Sequence, residues 1–155
     1  MGNRQLSNRD RKSINSMLEI AYGLREFIGK KDSLNLIDDM LLEINGTIRF
    51  LLIDGTYIPH LKLLLKNPFL PEVVVDMGAV KFMVSGADVM RPGIVAISEG
   101  IREGQIVAVV DEKNRKPLCV AQALYDGKTM QTMIGGKVCK NLHWIGDGYW
   151  NHPLS

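Results

Sequence analysis

A chain of 155 residues, 46% hydrophobic and 23% charged, has the make-up of a globular protein large enough to bury a core of its own. Its net charge of +2 is too small for the overall field to capture a polyanion, so any nucleic-acid contact must come from local clusters. No stretch is long and apolar enough for a helical membrane span. The polar opening MGNRQLSNRDRK has no apolar signal-peptide core, and a cytoplasmic location is expected.

Residues 7–22 read as a helix. Ser7 stands where an N-cap is wanted, with Asp10 three positions on as the acid of a capping box. Ile14, Met17, Leu18, Ala21 and Tyr22 recur at the spacing of one buried face. Gly23 and Gly29 allow the helix to end. From Leu34 the pattern turns to strands. One begins with Leu34, Leu36 and Ile37, and residues 40–44 and 47–53 flank Asn45-Gly46, the dipeptide that suits a type I′ hairpin turn. The adjacent acids Asp38-Asp39 read as strand, which points their carboxyls to opposite faces. Asp54-Gly55 makes a second turn into residues 56–58. Pro59 then suits the first position of a short helix over 60–66, which Asn67-Pro68 stops.

Asn67-Pro68-Phe69-Leu70-Pro71, with two prolines in four residues, is the best domain boundary. Beyond it, 73–75 is an apolar strand, 79–84 a short helix, and strands are expected near 94–98, 105–111, 118–125 and 138–145. A short helical turn is expected over 127–133. Lys113-Asn114-Arg115-Lys116 is a polar hairpin loop. Many short strands with glycine-rich turns argue for a small barrel or sandwich. Cys119 and Cys139 each lie within an apolar run and read as reduced core thiols, a disulfide being the alternative. Residues 1–70 carry ten basic and eight acidic side chains and residues 71–155 nine of each, so neither half is strongly charged.

Within this frame, Asp76-x-Gly78-Ala79, Gly86-Ala87-Asp88-Val89-Met90 and Pro92-Gly93-Ile94, followed by the runs 107–110 and 119–123, resemble a PUA domain over residues 72–147. The likeness extends to residues 57–64, to Asn67-Pro68-Phe69 and to residues 141–150. That places it with the branch of PUA proteins that includes the multiple-copies-in-T-cell-lymphoma protein, its yeast relative and the N-terminal half of ligatin. The short N-terminal region and lack of long insertions resemble the archaeal members. The resemblance implies an α+β protein in which a small N-terminal α+β domain, residues 1–70, precedes a mostly-β PUA pseudo-barrel, residues 71–155. It also implies RNA binding in the translation apparatus, to tRNA or small-subunit rRNA, in a recycling- or initiation-type role near the ribosome. A protein partner through the N-terminal domain is possible on this reading, and no cofactor is called for.

Carried onto this chain, the RNA-binding face of PUA domains falls on Gly78, Ala79, Lys81, Phe82, Gly86, Ala87, Met90, Arg91, Pro92 and Gly93. Free amides near Ala79 at a helix N-terminus would favour phosphate, and Lys81 and Arg91 supply cations, Arg91 being best placed for direct contact. The same glycines equally serve tight turns. Phe82 and Met83 read as core, and Asp76 as the cap of the helix. Two further basic clusters, the 113–116 loop and Arg4, Arg9, Arg11 and Lys12, read first as solvated surface. Trp144 and Trp150 offer rings for stacking on bases, but sealing of the barrel and packing are favoured. The three histidines show no metal-ligand spacing with one another or with the cysteines, and no nucleophile–base constellation is apparent. A non-enzymatic RNA-binding protein is therefore expected. The alternatives are a protein-interaction adaptor and an RNA-binding accessory subunit for a separate modifying enzyme.

Overall fold

The computed structural model describes residues 2–155, which divide into two compact units: residues up to His60 with Pro153–Ser155, and Leu61–His152. The helix and the proline connector over 61–71 thus fall with the second unit.

The first unit is an antiparallel meander of β1 (Asn3–Gln5), β2 (Leu34–Ile37), β3 (Leu41–Ile44), β4 (Thr47–Ile53) and β5 (Thr56–Pro59), in that spatial order, with helix α1 (Asn8–Tyr22). The capping box forms as expected: Ser7 Oγ accepts the Asp10 N–H at 3.1 Å, and Asp10 Oδ2 accepts the Ser7 N–H at 2.9 Å. The buried seam of α1 is narrower than its apolar pattern. Ile14 and Leu18 are buried and Tyr22 partly so, whereas Met17 is 48% exposed and Ala21 is exposed. Asn45-Gly46 and Asp54-Gly55 both have positive φ at the two central residues, the geometry of a type I′ turn.

Two expectations in this unit are corrected. Asp38 and Asp39 form a turn, not a strand, with φ of 52° and 56°, a region that aspartate tolerates. Pro59 ends β5 opposite Phe50 and does not open the helix. As β5 is an edge strand, the absent N–H of proline costs the ladder nothing. Helix α2 starts one residue later than expected and runs Leu61–Lys66.

The second unit curls a six-stranded sheet into a half-barrel. Its strands are β6 (Glu72–Val75), β7 (Val89–Met90), β8 (Ile94–Ile97), β9 (Ile106–Asp111), β10 (Pro117–Ala123) and β11 (Lys137–Trp144), in the order β7-β11-β10-β9-β6-β8. Only β6 and β9 pair in parallel. α3 (Val80–Met83) and α4 (Gly127–Thr132) complete the unit, with a 3-10 turn, Met77–Ala79, leading into α3. The two central strands β9 and β10 are almost wholly buried, matching their unbroken apolar runs. Val73, Val75, Met83, Val109, Cys119, Met130 and Cys139 belong to one core. Both cysteines are free thiols. Cys119 lies opposite Trp144 whereas Cys139 lies opposite Ala123, four residues further along β10. At ~3.3 Å rise per residue that separation rules out a disulfide.

Candidate nucleic-acid interface

The end of β6 and the start of β8 are tied together by the Asp76 N–H, which donates to the Gly93 carbonyl at 2.9 Å. Above this junction the chain leaves β6 through the 3-10 turn into α3, then returns through β7 and a second turn, Arg91–Gly93. Between the outgoing and returning segments lies an open cleft of about 450 Å³. Of the residues expected from sequence, Gly78, Ala79, Ala87, Met90, Pro92 and Gly93 line it, while Lys81, Gly86 and Arg91 lie outside the lining. Phe82, expected in the core, is 53% exposed and lines the cleft; its neighbour Met83 is buried as expected. Met90 is 50% exposed. The exposed ring of Phe82 beside the cleft is the feature that sequence reasoning missed, whereas Met90 was among the residues it expected at this face. The short length of α3 is the reason: a helix of four residues has room to bury one side and leave its neighbour outside.

The helix N-terminus is already occupied. Asp76 Oδ1 accepts the Ala79 N–H at 3.0 Å, as its expected capping role requires, and Glu112 Oε2 accepts the Met77 N–H at 2.9 Å. Two carboxylates therefore stand where free amides for phosphate were anticipated, and the turn is electrostatically closed to an anion on that side. The far wall, which includes Asp88, is braced from behind by Asn141. Asn141 Nδ2 donates to the Met83 and Ala87 carbonyls at 3.1 and 3.0 Å. Asp88 accepts the Asn141 N–H at 2.9 Å and pairs with Lys137 Nζ at 3.3 Å. A buried asparagine inside a strand was the available signal for this clamp.

The remaining candidate residues have mixed duties. Arg91 Nε donates to the Met130 carbonyl at 2.7 Å and Nη1 to the Ile94 carbonyl at 3.3 Å, so its guanidinium pins the second turn to α4. Lys81 is exposed, with Nζ 5.1 Å from the centre of the Phe82 ring. Gly86 has φ +89°, and a Cβ there would lie 2.7 Å from Cζ2 of Trp144, whose indole packs on the core. Gly78 leaves room for its own cap, since a Cβ would sit 3.3 Å from Asp76 Oδ1.

Elsewhere, Arg11 is partly buried and donates to the Gly29 carbonyl at 2.6 Å, which separates it from the exposed Arg4, Arg9 and Lys12. In the 113–116 loop, Asp111 accepts the N–H groups of Lys113, Asn114 and Lys116, leaving the cations at an exposed tip. Trp150 is partly buried, with Lys62 Nζ 4.9 Å over its ring.

One buried polar cluster lies apart from the cleft. His143 Nε2 accepts the Leu61 N–H at 3.0 Å, so its proton resides on Nδ1, 2.8 Å from Asp147 Oδ2. Asp147 also accepts the Trp144 and Trp150 N–H groups. Burial alone would raise the Asp147 carboxyl, but the His143, Trp150 and Trp144 donors outweigh it and hold it below the usual carboxylate range. Among the described residues no group of three His, Cys, Asp or Glu side chains could hold a metal ion.

Residues 71–145 match the PUA domain family. The chain is 46% identical to an uncharacterized protein of Methanocaldococcus jannaschii over 94% of its own length and 93% of the relative's. It is 35% identical to Translation machinery-associated protein 20 of Schizosaccharomyces pombe, covering 83% and 77% of the two chains. It is 31% identical to Malignant T-cell-amplified sequence 1 of Rattus norvegicus, covering 83% and 75%. Among solved structures, a hypothetical protein from Pyrococcus horikoshii superposes with a TM-score of 0.84 at 33% identity, over 96% of this chain and 98% of that one. A PUA-domain protein from Aeropyrum pernix follows with a TM-score of 0.82 at 26% identity, over 96% and 89%.

Proposed function

The chain belongs to the PUA-domain family that contains Malignant T-cell-amplified sequence 1 and Translation machinery-associated protein 20, and we propose on that footing that it is a non-enzymatic, cytoplasmic RNA-binding protein of the translation apparatus. Its RNA is tRNA or the rRNA of the small ribosomal subunit, and its role is of the recycling or initiation kind. The observation that carries this reading is the apolar cleft with Phe82 and Met90 exposed beside it. Such a surface suits an unpaired base, which stacks on an aromatic ring for ~1–3 kcal/mol. Phosphates on either side of that base stay in water, within reach of cations such as Lys81. The protein's contribution is to hold and position RNA. The His143–Asp147 pair supports the non-enzymatic reading: the Leu61 N–H occupies Nε2, so that nitrogen cannot take a proton from a nucleophile.

The test is binding of tRNA and of small ribosomal subunits across a salt series. Affinity should fall as salt rises, Lys81→Ala should reduce the slope of log K against log salt by about one, and Phe82→Ala should weaken binding about tenfold. Affinity indifferent to both salt and Phe82 refutes the reading. On the first unit, Ile20 is 87% exposed beside Met17 on α1, which favours a protein partner there. Ile20→Lys should then release that partner without weakening RNA binding.

A further inference from the structure

The hairpin between β9 and β10 presents positive charge beside the cleft. Its sequence, Asp111-Glu112-Lys113-Asn114-Arg115-Lys116, holds two acids and three bases, but both acids are committed to backbone donors. Asp111 is buried, and its carboxylate accepts the N–H groups of Lys113 at 2.9 Å, Asn114 at 2.6 Å and Lys116 at 3.3 Å. Glu112 Oε2 accepts the Met77 N–H at 2.9 Å. Arg115 pairs with Glu72 at 3.6 Å. Lys113 and Lys116 are exposed, and among the described residues neither ammonium enters an ion pair. The tip thus carries two cations in water on a backbone that a buried carboxylate holds in place, which lowers the ordering cost of a contact made there.

The hairpin is also tied to the cleft. The Glu112 N–H donates to the Val75 carbonyl at 3.0 Å, and the Glu112 carboxylate holds the Met77 N–H. Both bonds are made where the chain leaves β6 for the turn that brings Gly78 and Ala79 to the lining. Lys113 follows Glu112 by one residue, ~3.8 Å of chain. A strand of RNA leaving the cleft on this side meets the Asp76 and Glu112 carboxylates, which repel its phosphates from the turn itself. The hairpin beyond supplies the compensating charge. We propose that the β9–β10 hairpin is a second RNA contact, in which Lys113 and Lys116 bind phosphates of the strand next to the base held in the cleft. This rests on the reading above that RNA enters the cleft. An ammonium takes phosphate as a point charge, so the contact adds affinity and fixes the path of the strand without reading sequence. Each such contact contributes ~0.7–0.9 to the slope of log K against log salt, which is about five- to eightfold in affinity for a tenfold change in salt.

The full chain is titrated against fluorescein-labelled bulk tRNA, followed by anisotropy across a salt series, as wild type and as Lys113→Ala, Lys116→Ala, Lys113→Arg, Lys116→Arg and Phe82→Ala. Lys30→Ala, which removes an exposed lysine of the first unit, controls for net charge. The expected result is a slope lowered by ~0.7–0.9 in each of Lys113→Ala and Lys116→Ala, at an unchanged melting temperature, since both side chains lie in water. The arginine variants, which keep the charge, should keep the wild-type slope. Phe82→Ala should weaken binding at an unchanged slope, because stacking releases no counterions. A slope that neither alanine variant lowers, or that Lys30→Ala lowers equally, overturns the inference while leaving the cleft as an RNA site. Failure to bind tRNA, or binding unaffected by Phe82→Ala, removes the underlying reading as well.

Discussion

Gly86 separates the demands of folding from those of RNA binding. Its φ of +89° is costly for any residue with a Cβ, and that Cβ would lie 2.7 and 2.8 Å from two atoms of the Trp144 ring. The dihedral alone costs ~1–2 kcal/mol. Forcing a methyl group into an occupied site adds ~1–3 kcal/mol, because Trp144 is packed on the core and cannot simply swing away. Gly86→Ala should therefore destabilise the protein by about 3 kcal/mol, a fall in Tm of about 10 °C for a chain of this length. The two components separate in a double-mutant cycle read by urea denaturation. In a Trp144→Leu background the steric component disappears, and Gly86→Ala should cost only the ~1–2 kcal/mol of the dihedral. Equal cost in both backgrounds, or less than about 1 kcal/mol in the wild type, refutes the reasoning. Below its melting range the variant should keep wild-type affinity for tRNA and small ribosomal subunits, as Gly86 lies outside the cleft lining.

Arg91→Ala leaves the Met130 and Ile94 carbonyls without their guanidinium donors; the expected loss is ~1–3 kcal/mol, and an unchanged thermal melt refutes that role. Because the folded Asp147 carboxyl is depressed below its unfolded value, its stabilisation is present above the ordinary carboxylate range and is lost as pH falls through the folded value. Asp147→Asn should flatten the acid side of the stability–pH curve, measured by urea midpoints between pH 3 and 7, and an undiminished slope counts against the assignment. Burial pushes the Cys119 thiol up, and the Cys139 thiol up to about 12. Neither should react with a chromogenic disulfide reagent at pH 8 until the protein unfolds, and rapid labelling of the native chain contradicts the packing.

The elements that could be read from the sequence are those fixed by local chemistry. Asn45-Gly46 and Asp54-Gly55 specify their turns because both central residues need positive φ. Ser7 and Asp10 specify the start of α1 because each satisfies the other's backbone. What escaped was fixed by partners distant in sequence. β1 and β7 are three and two residues long, too short to carry a periodicity, and exist because β2 and β11 offer backbone edges. Pro59 carries an ambiguous signal, since the same fixed φ suits a first helical turn and an edge strand. Only the ladder to Phe50 resolves it.

The candidate site divides in the same way, and the division explains why its glycines carry two meanings. Glycine marks where backbone must pass closely, but the sequence does not reveal what it passes. At Gly86 the neighbour is Trp144, and at Gly78 it is the capping oxygen of Asp76. Both are intramolecular reasons that would hold in a protein with no RNA partner. Arg91 similarly has intramolecular work for two of its donors. The side chains the fold leaves exposed at the cleft are of another kind: the ring of Phe82 and the thioether of Met90. An aromatic ring exposed beside an apolar cleft is a surface suited to a partner. Function at this site is thus better sought in side chains the fold leaves unsatisfied than in glycines the fold already explains. Phe82→Ala should accordingly change RNA binding with little change in stability, while Gly86→Ala and Arg91→Ala should do the reverse.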